Sequence, residues 1–300
     1  MNDLGVRPAA ILGATGQLGA ALVDAFGARP LATPRHADLD IEDTGALEAF
    51  LRAQRPGVLV NCTAFHNVDE CEKSPERAFA MNALAVDRAA KLCAALGIAF
   101  ATMSTDYVFD GTLGRAYGES DAPNPLSAYG VSKLAGELLV RRHGREHFIF
   151  RLSGVYSASG TSNKGYTFIE RVLQQAERGE PVRIVDNMTF SPTFAPHAAR
   201  VIVAALDARL YGTHHVTNSG ATTWYHFAAA AFARSGLKPT LEALTYDNYG
   251  SAVKRPLYSP LASTTFARAG ITPAPPWEHG LEEFLAGRAA RRAAATTAVV

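Results

Sequence analysis

The stretch Gly13-Ala14-Thr15-Gly16-Gln17-Leu18-Gly19 constrains this chain more than any other. It follows the apolar run Ala9-Ala10-Ile11-Leu12 and opens a segment, 17–26, with helical patterning. A glycine cluster between strand and helix lets the backbone turn tightly and approach a pyrophosphate, whose charge then sits at the positive end of the helix. Gly13, Thr15, Gly16, Gln17, Leu18 and Gly19 are therefore candidate dinucleotide contacts.

The rest of the first half repeats the same alternation. Apolar runs at 58–60, 98–103 and 148–152 alternate with helical segments at 75–96 and 128–142, and Gly97 supplies a stop. Such an order predicts an α/β fold, a Rossmann-type doubly wound parallel sheet. After Tyr156 the texture changes to a polar loop (157–165), an interrupting Ser191-Pro192-Thr193, helices over 197–210 and 223–234, and a strand over 214–217. We expect a nucleotide-binding domain over 1–152, a smaller C-terminal α/β substrate domain over 153–286 with later segments free to rejoin the first sheet, and a frayed or disordered tail over 287–300.

Composition narrows the partners. At 300 residues and 48% hydrophobic content the chain can build a large core. A net charge of +1 with no basic run interleaved with aromatics gives no nucleic-acid footprint. No apolar stretch reaches the roughly 18 residues of a membrane helix, and no secretory leader is visible, so a cytoplasmic enzyme with a small-molecule substrate is expected. Cys62, Cys71 and Cys93 lack CxxC spacing, which argues against zinc or a disulfide framework. Adjacent His214 and His215 would point to opposite faces of a strand, so no metal is expected there.

Cofactor choice is read at the end of the second strand, where a carboxylate favours NAD and an arginine favours the 2′-phosphate of NADP. The neighbourhood is Thr33-Pro34-Arg35-His36-Ala37-Asp38. Arg35 favours NADP(H), Asp38 keeps NADH use open, and Asp40-Ile41 are expected to line the adenine.

Tyr129 and Lys133 are one helical turn apart in Ser127-Ala128-Tyr129-Gly130-Val131-Ser132-Lys133. A neighbouring ammonium stabilises a phenolate and is expected to bring the tyrosine toward the working range of a general acid. Ser104-Thr105-Asp106-Tyr107 follows the strand at 98–103, which puts Thr105 at a carboxyl-end strand tip, where its hydroxyl can hold a substrate carbonyl.

Taken together, these segments resemble the extended short-chain dehydrogenase/reductases, and within them the dTDP-4-dehydrorhamnose reductase family. The likeness runs over nearly the whole chain. It is carried by the glycine loop, the stretches 61–69 and 81–83, Ser104-Thr105-Asp106-Tyr107-Val108-Phe109-Asp110-Gly111, 129–137, 150–156, Ser191-Pro192-Thr193, 223–227 and Arg255-Pro256. The resemblance implies an NADPH-dependent oxidoreductase acting on CH–OH groups, which reduces a 4-keto-6-deoxy sugar on a nucleoside diphosphate in deoxysugar biosynthesis. Thr105, Tyr129 and Lys133 would be catalytic, Cys62, Thr63 and Ala64 would lie along the cofactor, and Val68, Asp106 and Tyr107 would face the sugar. Tyr107 stands where dehydratases of the superfamily carry a Glu, which favours reduction over elimination. Extended relatives often dimerise, so the resemblance allows a homodimer.

Three departures accompany the likeness. Gly154 replaces a common Trp, which is expected to leave space in the sugar pocket; Asn163-Lys164-Gly165-Tyr166 replaces an Asn-Phe loop; and Cys62-Thr63 replaces an Ala-like pair. Arg255, with its planar fork, is expected at the substrate diphosphate. Trp224 and Trp277 read as core anchors. Two other readings stay open at this point: a related reductase or epimerase on another keto substrate, and a non-catalytic NADP-binding regulatory subunit, such as that of methionine adenosyltransferase.

Overall fold

The computed structural model of the protein describes residues 7–159 and 167–297. In the first half, strands β1 (Ala9–Leu12), β2 (Leu31–Ala32), β3 (Val58–Asn61), β4 (Ala99–Thr105) and β5 (His147–Leu152) alternate with helices α1 (Gln17–Phe26), α2 (Thr44–Gln54), α3 (Val68–Lys73), α4 (Pro75–Phe79), α5 (Ala85–Leu96) and α6 (Ala128–Arg141). The second half contributes strands β6 (Val155–Tyr156), β7 (Val182–Val185), β8 (Thr189–Phe190), β9 (Thr193–Phe194), β10 (Gly212–His215), β11 (Thr222–Thr223) and β12 (Leu241–Leu244). Its helices are α7 (Phe168–Glu177), α8 (Ala195–Asp207), α9 (Trp224–Ser235), α10 (Tyr246–Tyr249), α11 (Thr265–Arg268) and α12 (Trp277–Thr297).

Six strands form one parallel sheet in the order β10-β5-β4-β3-β1-β2. Every residue of β1 and β3 is buried, as a parallel sheet covered on both faces requires. One face packs on α1 and α8 through Leu18, Leu22, Phe26, Ala198 and Ile202. The other packs on α2, α5 and α6 through Leu47, Leu51, Val86, Ala89 and Val140. Chain order reverses between β1 and β3, so the ligand crevice of such a sheet falls outside their carboxyl ends.

Helix α8 and strand β10 rejoin the first sheet, so the smaller lobe is drawn from segments before and after them rather than from one stretch. Its own core gathers Ile169, Leu173, Phe190, Phe227, Phe232, Trp277 and Phe284 around β7, β12, α7, α9 and α12. The residues expected as a frayed or disordered tail continue α12 through Thr297. Arg288 fixes this end, its side chain 11% exposed and bonded to Glu170 at 2.9 Å and Glu177 at 2.7 Å. The single helix expected over 75–96 is interrupted by a π-helical turn at Ala80–Leu84. That turn aims the buried Asn82 at Phe65 and Ser132, bonding their carbonyl and hydroxyl oxygens at 2.8 and 3.0 Å.

The join between β4, α6 and β5 is electrostatic. Glu137 of α6 accepts two bonds from Arg151 of β5, at 2.8 and 2.7 Å, and one from Ser104 of β4 at 2.6 Å, with both charged side chains at most 2% exposed. Burial raises the Glu137 carboxyl, but Arg151, Ser104 and Arg141 outweigh it and hold the group below the usual carboxylate range. Removing one partner of such a buried pair strands the other charge in low dielectric. Arg151→Met is therefore expected to lower unfolding stability by about 3 kcal/mol, read from denaturant titration, with Arg141 limiting the loss.

Candidate active site

A cleft of about 760 Å³ runs along the carboxyl ends of the sheet strands. At one end lies the glycine loop. Gly13 adopts φ +76°, and the Gly16 amide closes a turn on the Gly13 carbonyl at 3.0 Å. A Cβ on Gly19 would lie 2.1 Å from the same oxygen, so only glycine lets α1 start this close to β1. Helix α1 begins without a side-chain cap and without an acid in its first turn, which leaves its amide groups and dipole to an anion. The buried Gln17 Oε1 has no hydrogen-bond partner among the described residues. Open helix terminus and close-packed glycines together fit a dinucleotide pyrophosphate.

Along the cleft lie Gly13, Thr15, Gly16, Gln17, Leu18, Gly19, Arg35, Cys62, Thr63, Ala64, Val68, Thr105, Asp106, Tyr107, Tyr129 and Lys133. Arg35 is exposed and paired with Asp38 at 2.8 Å, a contact weak enough in water to be exchanged for a phosphate. Asp40 and Ile41 do not line the cleft. Ile41 is 2% exposed within the α2–α5 core, and the Asp40 carboxylate accepts from the Glu42 amide at 3.0 Å. Their apolar-acidic pattern, suggestive of an adenine contact, belongs to the turn that starts α2.

At the other end Thr105, Asp106, Tyr129 and Lys133 converge. Ser127 caps α6 by accepting from the Gly130 amide at 3.3 Å. A Cβ on Gly130 would sit 2.2 Å from the Tyr107 carbonyl, so α6 packs directly onto the turn at Asp106–Val108. That contact brings Tyr129 beside Thr105. Thr105 also donates to Asp106 at 3.1 Å, and Asp106 accepts from Ser153 at 2.9 Å and from Ser259 at 2.6 Å.

Burial dominates the electrostatics. It raises Tyr129 well above the ordinary phenol value; the Thr105 hydroxyl opposes this, and the negative charge of Asp106 adds to it. The expected lowering by Lys133 is not what the arrangement gives. The Lys133 ammonium, 5% exposed, is brought down by burial to about 8, with Glu137 holding it up. Burial likewise lifts Asp106 to about 6 against the bonds from Ser259, Ser153 and Thr105. Cys62 is pushed up to about 12 by burial, so it lines the cleft as a neutral thiol.

Other placements differ from expectation. Arg255 does not line the cleft; it donates to Asp69 at 2.8 Å, Tyr246 at 3.1 Å and Ser251 at 3.2 Å, tying the segment after α10 to α3. Gly154 leaves no free space. A Cβ there would lie 2.3 Å from the ring of Phe190, which fills the room and stacks on Trp224 at 3.8 Å. Trp277 is a core anchor, packed on Phe227, whereas Trp224 faces the cleft. Phe65, His66, Arg77, Met81, Met188, Thr189, Phe190 and Ser259 also line it and were not singled out from sequence. Met188, Thr189, Phe190 and Ser259 arrive from loops and a two-residue strand whose position depends on lobe docking, whereas Phe65 and His66 follow β3 and Arg77 and Met81 lie on α4 and the π-helical turn. Residues 163–166 lie outside the described residues. His214 and His215 make separate buried hydrogen bonds, and no cluster of potential metal ligands occurs among the described residues. No described helix is long and apolar enough to cross a membrane.

Comparison with known proteins gives the chain's family and fold. Residues 9–289 match the family described as the RmlD substrate binding domain. A dTDP-4-dehydrorhamnose reductase of Streptomyces griseus is 34% identical over 94% of this chain and 95% of its own length. The spore coat polysaccharide biosynthesis protein SpsK of Bacillus subtilis is 33% identical over 93% and 96%. Among solved structures, a dTDP-4-dehydrorhamnose reductase of Bacillus anthracis in complex with NADP superimposes with a TM-score of 0.88 at 30% identity, covering 93% of this chain and 98% of the other. A Thermus thermophilus UDP-glucose 4-epimerase complexed with NAD shares the fold at a TM-score of 0.79 and 18% identity.

The glycine packing gives a direct test. Gly19→Ala forces the loop away from α1 and is expected to weaken NADPH binding about tenfold or more, measured by isothermal titration calorimetry, because overpacking of this kind costs about 1–3 kcal/mol.

Proposed function

This chain belongs to the RmlD substrate-binding-domain family of extended short-chain dehydrogenase/reductases, and from that premise we propose that it is an NADPH-dependent reductase of a 4-keto-6-deoxy sugar carried on a nucleoside diphosphate. Its reaction falls in the class that interconverts a ketone and a secondary alcohol with a nicotinamide cofactor. The observation that carries this reading is the meeting of Thr105, Tyr129, Asp106 and Lys133 at one end of a cleft whose other end is the glycine loop.

The cofactor, when bound, supplies a hydride to the carbonyl carbon. Gly13, Gly16 and Gly19 with the α1 amide groups would hold its pyrophosphate, Arg35 its 2′-phosphate, and Cys62, Thr63 and Ala64 would flank it. Thr105 would donate to the substrate carbonyl and orient it. Tyr129, kept protonated by burial, would give its phenolic proton to that oxygen as the hydride arrives, leaving a phenolate to be reprotonated from water. Lys133 offers an ammonium to the nicotinamide ribose and an opposite charge to the transient phenolate one turn away. Tyr107 stands at the next position after Asp106, where dehydratases of the superfamily carry a Glu, which supports reduction over elimination.

Tyr129→Phe is expected to lower kcat by roughly 10²- to 10⁴-fold while NADPH affinity stays within about twofold, since only the transferable proton is lost. The pH profile provides a second test. Lys133 works as a cation, and its value is depressed to about 8, so kcat/KM should fall as pH rises through that region. A profile flat from neutral pH through the ordinary lysine range would remove the role given to Lys133.

A further inference from the structure

Two short chains of contact lead from Asp106 to the same aromatic ring. Through the first, Ser153 bonds Asp106, and the next residue, Gly154, presses its backbone against Phe190; φ is +51° and a Cβ would lie 2.3 Å from the ring. Through the second, Ser259 bonds Asp106 and donates its amide to the Thr189 carbonyl at 2.9 Å, one residue before Phe190. Phe190 lies flat on Trp224, with 3.8 Å between centroids and 6° between planes, and Phe168 braces the indole edge-on at 4.7 Å. Both stacked rings line the cleft, Phe190 itself only 3% exposed. The cleft thus has a polar part, with Thr105, Asp106 and Tyr129, and beside it an aromatic part, Trp224 backed by Phe190.

We propose that Trp224, backed by Phe190, is the sugar-selectivity wall, receiving the apolar C5–C6 edge of a 6-deoxyhexose; the proposal rests on the reductase reading above. A hexose turning its keto carbon to Thr105 and Tyr129 has a hydroxyl-bearing edge and an apolar edge to distribute. Aromatic faces bind C–H and methyl groups by dispersion and offer no acceptor for a hydroxyl. A 6-hydroxyl pressed on this wall loses water without replacement, which supports discrimination of about 10- to 100-fold. The nucleobase is the less suitable occupant, because the stack is linked within two residues to the carboxylate beside the reacting carbonyl, whereas the base lies a diphosphate away from the sugar.

Trp224 and Trp277 are the only two tryptophans, and Trp277 is buried in the small-lobe core outside the cleft lining, so Trp277→Phe leaves one reporter at the wall. With NADP⁺ bound, this variant is titrated with dTDP-6-deoxyglucose, dTDP-glucose and dTDP, following emission and, by calorimetry, affinity. The expected results are an emission change with the deoxysugar that dTDP alone does not produce, and about 10- to 100-fold weaker binding of dTDP-glucose. In Trp224→Ala that preference should shrink to about threefold or less; should this variant not fold, the emission comparison decides alone. The wall is overturned, with the reductase reading intact, if dTDP alone reproduces the emission change, if the sugars bind while Trp224 stays silent, or if Trp224→Ala keeps the full preference. Absence of binding by all three, and by UDP-glucose and GDP-mannose titrated beside them, overturns the nucleotide-sugar reading itself.

Discussion

Glu137 and Arg151 meet where β4, β5 and α6 cross, and the catalytic geometry depends on that meeting. A buried ion pair contributes little net stability over well-packed apolar groups. Its value here is positional. Ser104, which bonds Glu137, is the residue before Thr105, and Lys133 lies one turn before Glu137 on the same helix. One carboxylate therefore fixes the strand tip that carries the Thr105 hydroxyl and the helix face that carries Tyr129 and Lys133. Close packing completes the constraint at Gly130 against Tyr107 and at Gly136, where a Cβ would lie 2.3 Å from the Asn82 carbonyl.

The direction of the electrostatics suits reduction. A phenol held protonated by burial is ready to give a proton, and the opposing shift at Lys133 keeps that ammonium close to giving up its own. The charge balance therefore differs from a simple pairing in which the lysine acidifies the tyrosine. Lys133 answers first to its desolvation and to Glu137, and its attraction matters once a phenolate forms. Asp106, near 6 and wrapped by three hydroxyls, links the two lobes through Ser153 on one side and Ser259 on the other.

Much of this was legible in the sequence because its signals are local. The glycine loop, the Ser127 cap and the Tyr129–Lys133 spacing each depend on a few adjacent residues, and the parallel sheet follows from short apolar runs between helices. What was missed depends on tertiary docking. Arg255 reads as a diphosphate ligand until Asp69 is seen beside it, and Ile41 reads as an adenine contact until α2 buries it. Gly154 reads as an opened pocket until β8 swings Phe190 into the same space, carrying Trp224 with it. Likewise the Ala/Arg-rich end has weak amphipathic patterning, and only the meeting of Arg288 with Glu170 and Glu177 explains why its helix persists.

The central claim is that this cleft moves a hydride to a sugar carbonyl while a protein phenol supplies the proton. Incubation with dTDP-4-keto-6-deoxyglucose and NADPH carrying deuterium at the transferable position tests it most directly, with the product sugar analysed by mass spectrometry and NMR. The account predicts one deuterium, carbon-bound at the former keto position, and a hydroxyl hydrogen that exchanges with solvent. Product formed without carbon-bound deuterium, or cofactor bound tightly with none consumed, would contradict it.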